Sequence, residues 1–301
     1  MPRRPLNGRA LALAATAKET QDALPSLVTQ LPHLELSQSK KVNLEDLTPP
    51  DPATCPRYHL LSNLNMPGTH IKVLNADTLE AAMQMRLGAT SANPDNKNST
   101  QATHPKNMRV AVLNLASDKN PGGGWLRGSA AQEEALCYRS SLSLSLQRGY
   151  YPFMPFDGVY TGDVVIVRSS MAEGHELLVP GVPAAGLPVV SVISVAGIRH
   201  PMISTDKQAF AVKKDRNLTK DKMRLVLRIA AHERHEMLVL GAIGCGAFRN
   251  PPRDVAKCWL EVLQEDEFKG GWWRDIWFAI FDVKNEGNFQ VFEEILGGQI
   301  V

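Results

Sequence analysis

A chain of 301 residues, 44% of them apolar and 21% charged, is long enough to bury a sizeable core without disulfide or metal staples. Its formal net charge of +2 gives no global footprint for nucleic acid or a membrane surface, so a polyanion would have to be met by a local site. The four cysteines, Cys55, Cys137, Cys245 and Cys258, form no C-x-x-C pair and fit neither a zinc site nor a disulfide framework; a reducing compartment, cytoplasmic and/or nuclear, is the simpler expectation.

Arg3, Arg4 and Arg9 precede the apolar run Ala10–Ala15. That run is short for a secretion signal, and Glu19 and Asp22 continue a helical pattern, so residues 8–31 read as an N-terminal helix. No stretch approaches ~18 consecutive apolar residues, which argues against a membrane span. Residues 32–68 are rich in Pro, Asn and Ser and read as mostly irregular. His70–Asn75 reads as a strand, and Asp77 starts a helix to about Leu87, its carboxylate at the positive end. Residues 89–107 hold little that could be buried and read as a mobile surface loop.

From Arg109 onward the pattern is α/β. Apolar runs at Val110–Leu113, Val164–Val167, Val189–Val195, Met237–Ala242 and Ile276–Phe281 suit strands buried on both faces. Helical segments lie between them at about 130–147, with Gly149 as a C-cap, and at 220–234 and 253–265, the last with Asn250 as N-cap ahead of two prolines. The alternation predicts a three-layer α/β/α domain with a mixed or parallel sheet. It occupies residues 69–301, with residues 1–68 as a helical and irregular extension packed on it. No internal repeat of fixed period is present.

The densest chemical signal runs from Asn114 to Glu134, directly after a strand. Gly122, Gly123 and Gly124 allow positive φ and close approach of backbone to a ligand. Ser129 fits a helix N-cap with Gln132 as its capping-box partner, which puts Glu133 and Glu134 in the first turn, facing the glycines. Each part alone is more often structural. Together, at a strand end of an α/β sheet, they stand where ligands bind. Adjacent helical residues point about 100° apart, so the two glutamates cannot flank a bond as opposed carboxylates. One can face a scissile bond while the other grips sugar hydroxyls.

A second glycine segment, Gly241–Pro251, follows another strand and precedes a helix. Successive N–H groups in such a loop form an anion nest suited to a diphosphate, although a plain helix cap would look similar. No Walker lysine or dinucleotide fingerprint is present. Cys245 has no histidine partner signature and reads as a small buried residue. His232-Glu-Arg-His235-Glu lacks zinc spacing and reads as a solvated helix face, as do Lys213, Lys214 and Arg216; Trp272, Trp273 and Trp277 read as core.

The run Gly-Gly-Gly, seven residues, Gln-Glu-Glu resembles the signature of poly(ADP-ribose) glycohydrolases, and the surrounding sequence is similar to the compact microbial type of bacteria and fungi. The resemblance covers roughly residues 70–285 and the N-terminal helix, and continues at Gly241-Ala-Ile-Gly-Cys-Gly-Ala-Phe-Arg-Asn-Pro251. It implies a macrodomain-like fold and hydrolysis of ribose–ribose bonds in poly(ADP-ribose). By the same resemblance Glu134 is the acid–base catalyst and Glu133 holds the ribose hydroxyls. To act as an acid near neutral pH Glu134 should have a raised pKa; burial and Glu133 raise it, while the helix N-terminus works against them. Gly122, Gly123 and Gly124 wrap the terminal ADP-ribose, with Gln132 alongside. Gly244, Cys245, Gly246, Ala247 and Phe248 receive the diphosphate and nucleotide, and Asn114 stands near the ribose. Many macrodomains carry asparagine where this chain has Ser117; Asn120 is the expected substitute. Asp77 matches an acid that reads the adenine amino group as well as it matches a helix cap. Implied partners are poly(ADP-ribose), ADP-ribose and poly-ADP-ribosylated proteins, with no membrane, no direct nucleic-acid binding, no cofactor and no metal, and the chain as a monomer. The competing readings are an ADP-ribose reader, which needs no carboxylate at the bond, and a mono-ADP-ribosyl hydrolase.

Overall fold

The computed structural model describes residues 8–56, 68–91 and 109–301. Thirteen helices and strands are described: α1 Gly8–Gln30, β1 Lys40–Asn43, β2 Ile71–Leu74, α2 Thr78–Ser91, β3 Val110–Leu115, α3 Gln132–Arg139, β4 Asp157–Val165, β5 Val189–Val195, α4 Lys213–His232, β6 Met237–Leu240, α5 Pro252–Leu263, β7 Asp275–Ala279 and α6 Asn288–Leu296. The strands form one mixed sheet in the order β1-β4-β5-β3-β6-β7-β2. β1 and β4 run antiparallel to their neighbours, and every pair from β5 to β2 is parallel.

The continuous apolar runs have the cause expected of them. Side chains alternate across a strand, and both faces here are covered. Val110 and Val112 of β3 pack in a cluster with Leu79 and Ala82 of α2, Leu136 of α3 and Leu13 of α1. Ala111 and Leu113 of the same strand pack in another cluster, with Leu225 and Ile229 of α4, Val255 and Trp259 of α5 and Phe292 of α6. Three helices thus lie on each face, the expected three layers. The second half of α1 buries Leu24 and Leu27 against Val165, Val167 and Leu187, beside the antiparallel edge.

Several boundaries differ from the sequence reading. β1 lies inside the stretch read as irregular. Its Lys-Lys-Val-Asn buries only Val42 and extends the sheet edge along β4. β4 begins at Asp157, well before the run Val164–Val167; Gly162 and Asp163 interrupt its apolar pattern at a register shift, where Asp163 pairs with Arg109. α2 continues to Ser91, and residues 92–108 of the segment read as a mobile loop lie outside the described residues, as do 1–7 with Arg3 and Arg4. α3 stops at Arg139 rather than near 147, because Ser140 turns extended to bridge Ile166 and the Ser141 hydroxyl accepts from the Val165 amide. Two 3-10 turns follow, and Gly149 lies in the second instead of capping α3. α4 starts at Lys213; Lys213 and Lys214 are exposed, but Arg216 is ion-paired with Asp254 and Glu261. His235 is fully buried between Tyr160 and the Arg109 carbonyl, not on a solvated face; burial holds its pKa down at about 4. Trp272, Trp273 and Trp277 are core, as expected. Among the described residues no helix is long and apolar enough to cross a membrane, and no group of three or more metal-ligating side chains gathers.

Candidate active site

The parallel strands β2, β3, β5, β6 and β7 all end at one edge of the sheet, which is where open α/β sheets bind ligands. β3 delivers the chain there. The loop after it turns through Gly122 (φ 67°) and Gly123 (φ 59°), conformations L side chains rarely adopt, and then a short 3-10 turn, Trp125–Arg127, before α3. Space demands glycine as strongly as conformation does. A Cβ on Gly123 would lie 2.3 Å from Glu134 Oε1 and 3.1 Å from Glu133 Oε2. The two carboxylates therefore converge over one backbone position.

Each is held by a separate set of donors. Glu134 Oε1 accepts from the Gly124 amide at 2.8 Å, and Oε2 accepts from the Ala131 amide at 3.0 Å. The second bond caps the helix: Ala131 is the N-cap, and Glu134, three residues on, reaches back to it. Ser129 is thus not the cap, and Gln132 is not its partner; the Ser129 hydroxyl packs against Gly124 instead. Glu133 Oε2 accepts from the Ser117 amide at 2.7 Å, and Oε1 lies 3.4 Å from Asn114 Nδ2, which also donates to Ser194 Oγ at 3.0 Å. Burial pushes the Glu133 carboxyl up to about 8, with the charge of Glu134 adding to the rise, although the bonds from Ser117, Asn114 and Gly122 oppose it.

Gln132 spends its amide on the scaffold. Its Oε1 accepts from the Leu115 amide at 2.8 Å, and its Nε2 donates to the Leu113 carbonyl at 2.8 Å and to Thr78 Oγ1 at 3.1 Å. It ties the start of α3 to the end of β3 and the start of α2, with both Nε2 protons engaged in the scaffold. Beneath the loop, the Cys137 thiol packs under Gly122, and the Tyr138 hydroxyl lies 2.8 and 2.7 Å from the Trp125 and Ser129 carbonyls. α1 closes the outer side: a Cβ on Gly128 would meet the Ala10 carbonyl oxygen at 2.1 Å.

The second glycine loop stands at the end of β6. Gly244 has φ 77°, and a Cβ there would lie 2.5 Å from Asn250 Nδ2. Asn250 is not a helix cap; Pro251 is. The Asn250 amide instead donates to the carbonyls of Ile198 at 2.6 Å, Gly244 at 3.1 Å and Phe248 at 3.3 Å, fastening this loop to the one after β5. Within it the Cys245 amide is used, by the Ala242 carbonyl, and the Cys245 thiol is half-buried and raised by burial. The amides of Gly246, Ala247 and Phe248 donate to nothing among the described residues. Three consecutive open N–H groups are what an anion nest requires.

The remaining expected residues are placed as follows. Asn114 is fully buried behind Glu133, with its Oδ1 unpartnered, so it orients the carboxylate from beneath. The Asn120 side-chain oxygen accepts from Arg148, while the Ser117 backbone amide serves Glu133. Asp77 caps α2 through the amides of Leu79 and Glu80 and pairs with Arg139, so its carboxylate is engaged in the scaffold. Four residues were not foreseen. Tyr151, whose buried hydroxyl has no partner and senses the Glu133 charge, stacks on Phe153 at 4.5 Å. Arg199 stacks on Phe248 and pairs with Asp118. No motif flags them, since they come from separate loops.

A family model described as the catalytic domain of microbial-type PARG, poly(ADP-ribose) glycohydrolase, matches residues 32–167. Among solved structures, the chain is similar to the poly(ADP-ribose) glycohydrolase of Thermomonospora curvata at 24% identity, over 94% of this chain and 98% of that one, with a TM-score of 0.68. The T. curvata enzyme bound to the inhibitor ADP-HPD aligns at 23% identity with a TM-score of 0.67, over the same shares of both chains. The enzyme of Deinococcus radiodurans in complex with ADP-ribose is similar at 27% identity, over 90% of this chain and 97% of that one, with a TM-score of 0.63. No curated protein matches the chain significantly.

Proposed function

We infer that this chain is a microbial-type poly(ADP-ribose) glycohydrolase, which hydrolyses the ribose–ribose O-glycosidic bonds of poly(ADP-ribose) and releases ADP-ribose. The observation that carries the reading is the convergence of Glu133 and Glu134 over Gly123 at a strand end.

In the reaction, protonated Glu134 gives its proton to the departing ribose oxygen as the bond to the anomeric carbon breaks. Positive charge develops on that carbon and its ring oxygen. The Glu134 carboxylate then takes a proton from the attacking water, which restores the acid. Each Glu134 oxygen accepts one backbone N–H and keeps a second lone-pair site for this traffic. Burial raises the neighbouring Glu133 carboxyl to about 8, and ribose hydroxyls that donate to it favour its ionised form.

The diphosphate of the terminal ADP-ribose lies on the open amides of Gly246, Ala247 and Phe248. Poly-ADP-ribosylated proteins present such chain ends. α1 belongs to the working unit, since it packs on the catalytic turn.

The test is incubation of the protein with purified poly(ADP-ribose) and, separately, with a mono-ADP-ribosylated protein, with products resolved by chromatography. Release of ADP-ribose from the polymer alone is expected. Binding of ADP-ribose without cleavage of either would make the chain a reader; cleavage of the mono-modified protein alone would make it a hydrolase of a different bond.

A further inference from the structure

We propose that Arg199 is a substrate-binding residue that takes the diphosphate of ADP-ribose, and that Asp118 holds it ready while no substrate is bound. The proposal rests on the functional reading above and adds the cation that reading lacks.

A diphosphate brings two negative charges to a protein whose net charge is only +2. The amides of Gly246, Ala247 and Phe248 supply dipoles but no full charge. Arg199 lies four residues beyond the end of β5, at the ligand-binding edge. Its guanidinium stands 4.2 Å from the centre of the Phe248 ring, and Phe248 carries one of the open amides. The backbones cannot separate freely: the His200 amide donates to the Phe248 carbonyl at 2.9 Å, and Asn250 holds the Ile198 carbonyl at 2.6 Å. The other side of the guanidinium pairs with Asp118, on the loop leading to the catalytic glycines. Arg199 thus joins the loops after β3, β5 and β6 at one point.

The ion pair is partly open to solvent, 38% for Arg199 and 27% for Asp118. Ion pairs this open to water are weak. A planar guanidinium on a diphosphate forms charge-assisted, bidentate bonds that are stronger. Exchange of Asp118 for phosphate is therefore downhill, and Phe248 keeps the guanidinium plane oriented during it. Two other arginines near this edge are engaged elsewhere: Arg253 with Glu294, and Arg216 with Asp254 and Glu261. Arg249 is exposed on the neighbouring turn and serves as the control for charge alone.

The decisive experiment compares ADP-ribose binding by calorimetry, at low and high salt, for wild type, Arg199→Gln, Arg199→Lys, Arg249→Gln and Asp118→Asn. Arg199→Gln is expected to weaken binding about tenfold or more and to flatten its salt dependence. Arg199→Lys recovers part of the loss, and Arg249→Gln changes affinity less than threefold. Asp118→Asn binds as tightly as wild type or more so, because it frees the guanidinium and removes a repelling charge. If the pair is only a structural tie, Asp118→Asn and Arg199→Gln weaken binding alike, and the proposal is wrong. It is equally overturned if Arg199→Gln binds as wild type does, or if Arg249→Gln loses as much. Failure of wild type itself to bind ADP-ribose would instead overturn the functional reading, and this inference with it.

Discussion

The two glycine loops at the strand ends are built from similar residues and are used in opposite ways. In the loop after β3, the Gly124, Ala131 and Ser117 amides are all bonded to the glutamate carboxylates. In the loop after β6, three consecutive amides donate to nothing among the described residues. The glycines themselves also differ in purpose. Gly123 is glycine because two carboxylates fill the space above it, whereas Gly244 is glycine because a bracing side chain, Asn250, lies beneath the turn. Groups that do chemistry need a fixed position before the substrate arrives. Groups that recognise an anion need unspent donors. The comparison predicts that damage to the first loop removes turnover and damage to the second removes affinity.

The strongest way to break that contrast is Gly123→Ala. Its methyl would displace both carboxylates from a backbone already at positive φ. We expect kcat/KM on poly(ADP-ribose) to fall at least ~100-fold with ADP-ribose still bound. A loss below tenfold would mean that the carboxylate positions are not tightly set. Gln132→Leu comes next. It orphans the Leu115 amide and the Leu113 carbonyl, and should lower unfolding free energy by about 2 kcal/mol or more in a urea titration, with a smaller fall in kcat. Unchanged stability would show that the clamp is not needed. Gly244→Ala should cost about tenfold in ADP-ribose affinity while kcat at saturation stays within a few-fold, because the nest, not the acid, is disturbed. A fall in kcat with unaltered affinity would reverse the assigned roles.

The smallest effect is a pH slope. Glu133 is raised in the folded protein to about 8 from its ordinary value of 4.5. Between these values the folded chain binds more protons than the unfolded one. The stability this group contributes is present below about 4.5 and is lost as pH rises through about 8. One proton sets a slope of at most about 1.4 kcal/mol per pH unit. Denaturation of wild type and Glu133→Gln across this window should show a slope in wild type that the variant lacks; parallel curves would contradict the assignment.

Much of this site was legible from composition and order. The triple glycine and the Gln-Glu-Glu lie within one short segment of chain, so their proximity follows from sequence alone, and the second glycine loop is legible as a segment by itself. The buried strands β3 and β5 read clearly because both of their faces are covered. β1 did not, since an edge strand of Lys-Lys-Val-Asn buries one side chain. The helix cap was misplaced because Ser129 and Glu134 both offer an oxygen at the helix start, and only packing against Gly124 decides between them. Asp118, Arg199 and Phe248 lie on three loops far apart in the chain, and no local pattern joins them.

The central claim is that Glu134 moves the proton. The most direct measurement is single-turnover cleavage of poly(ADP-ribose) by wild type and Glu134→Gln, with ADP-ribose affinity measured on the same samples. Glutamine keeps the shape and can still accept one backbone N–H, but cannot donate the acid proton. Loss of at least ~100-fold in rate with affinity within a few-fold of wild type is the predicted result. Retention of the rate to within tenfold, on a folded variant that binds ADP-ribose normally, would contradict the account and pass the acid–base role to Glu133.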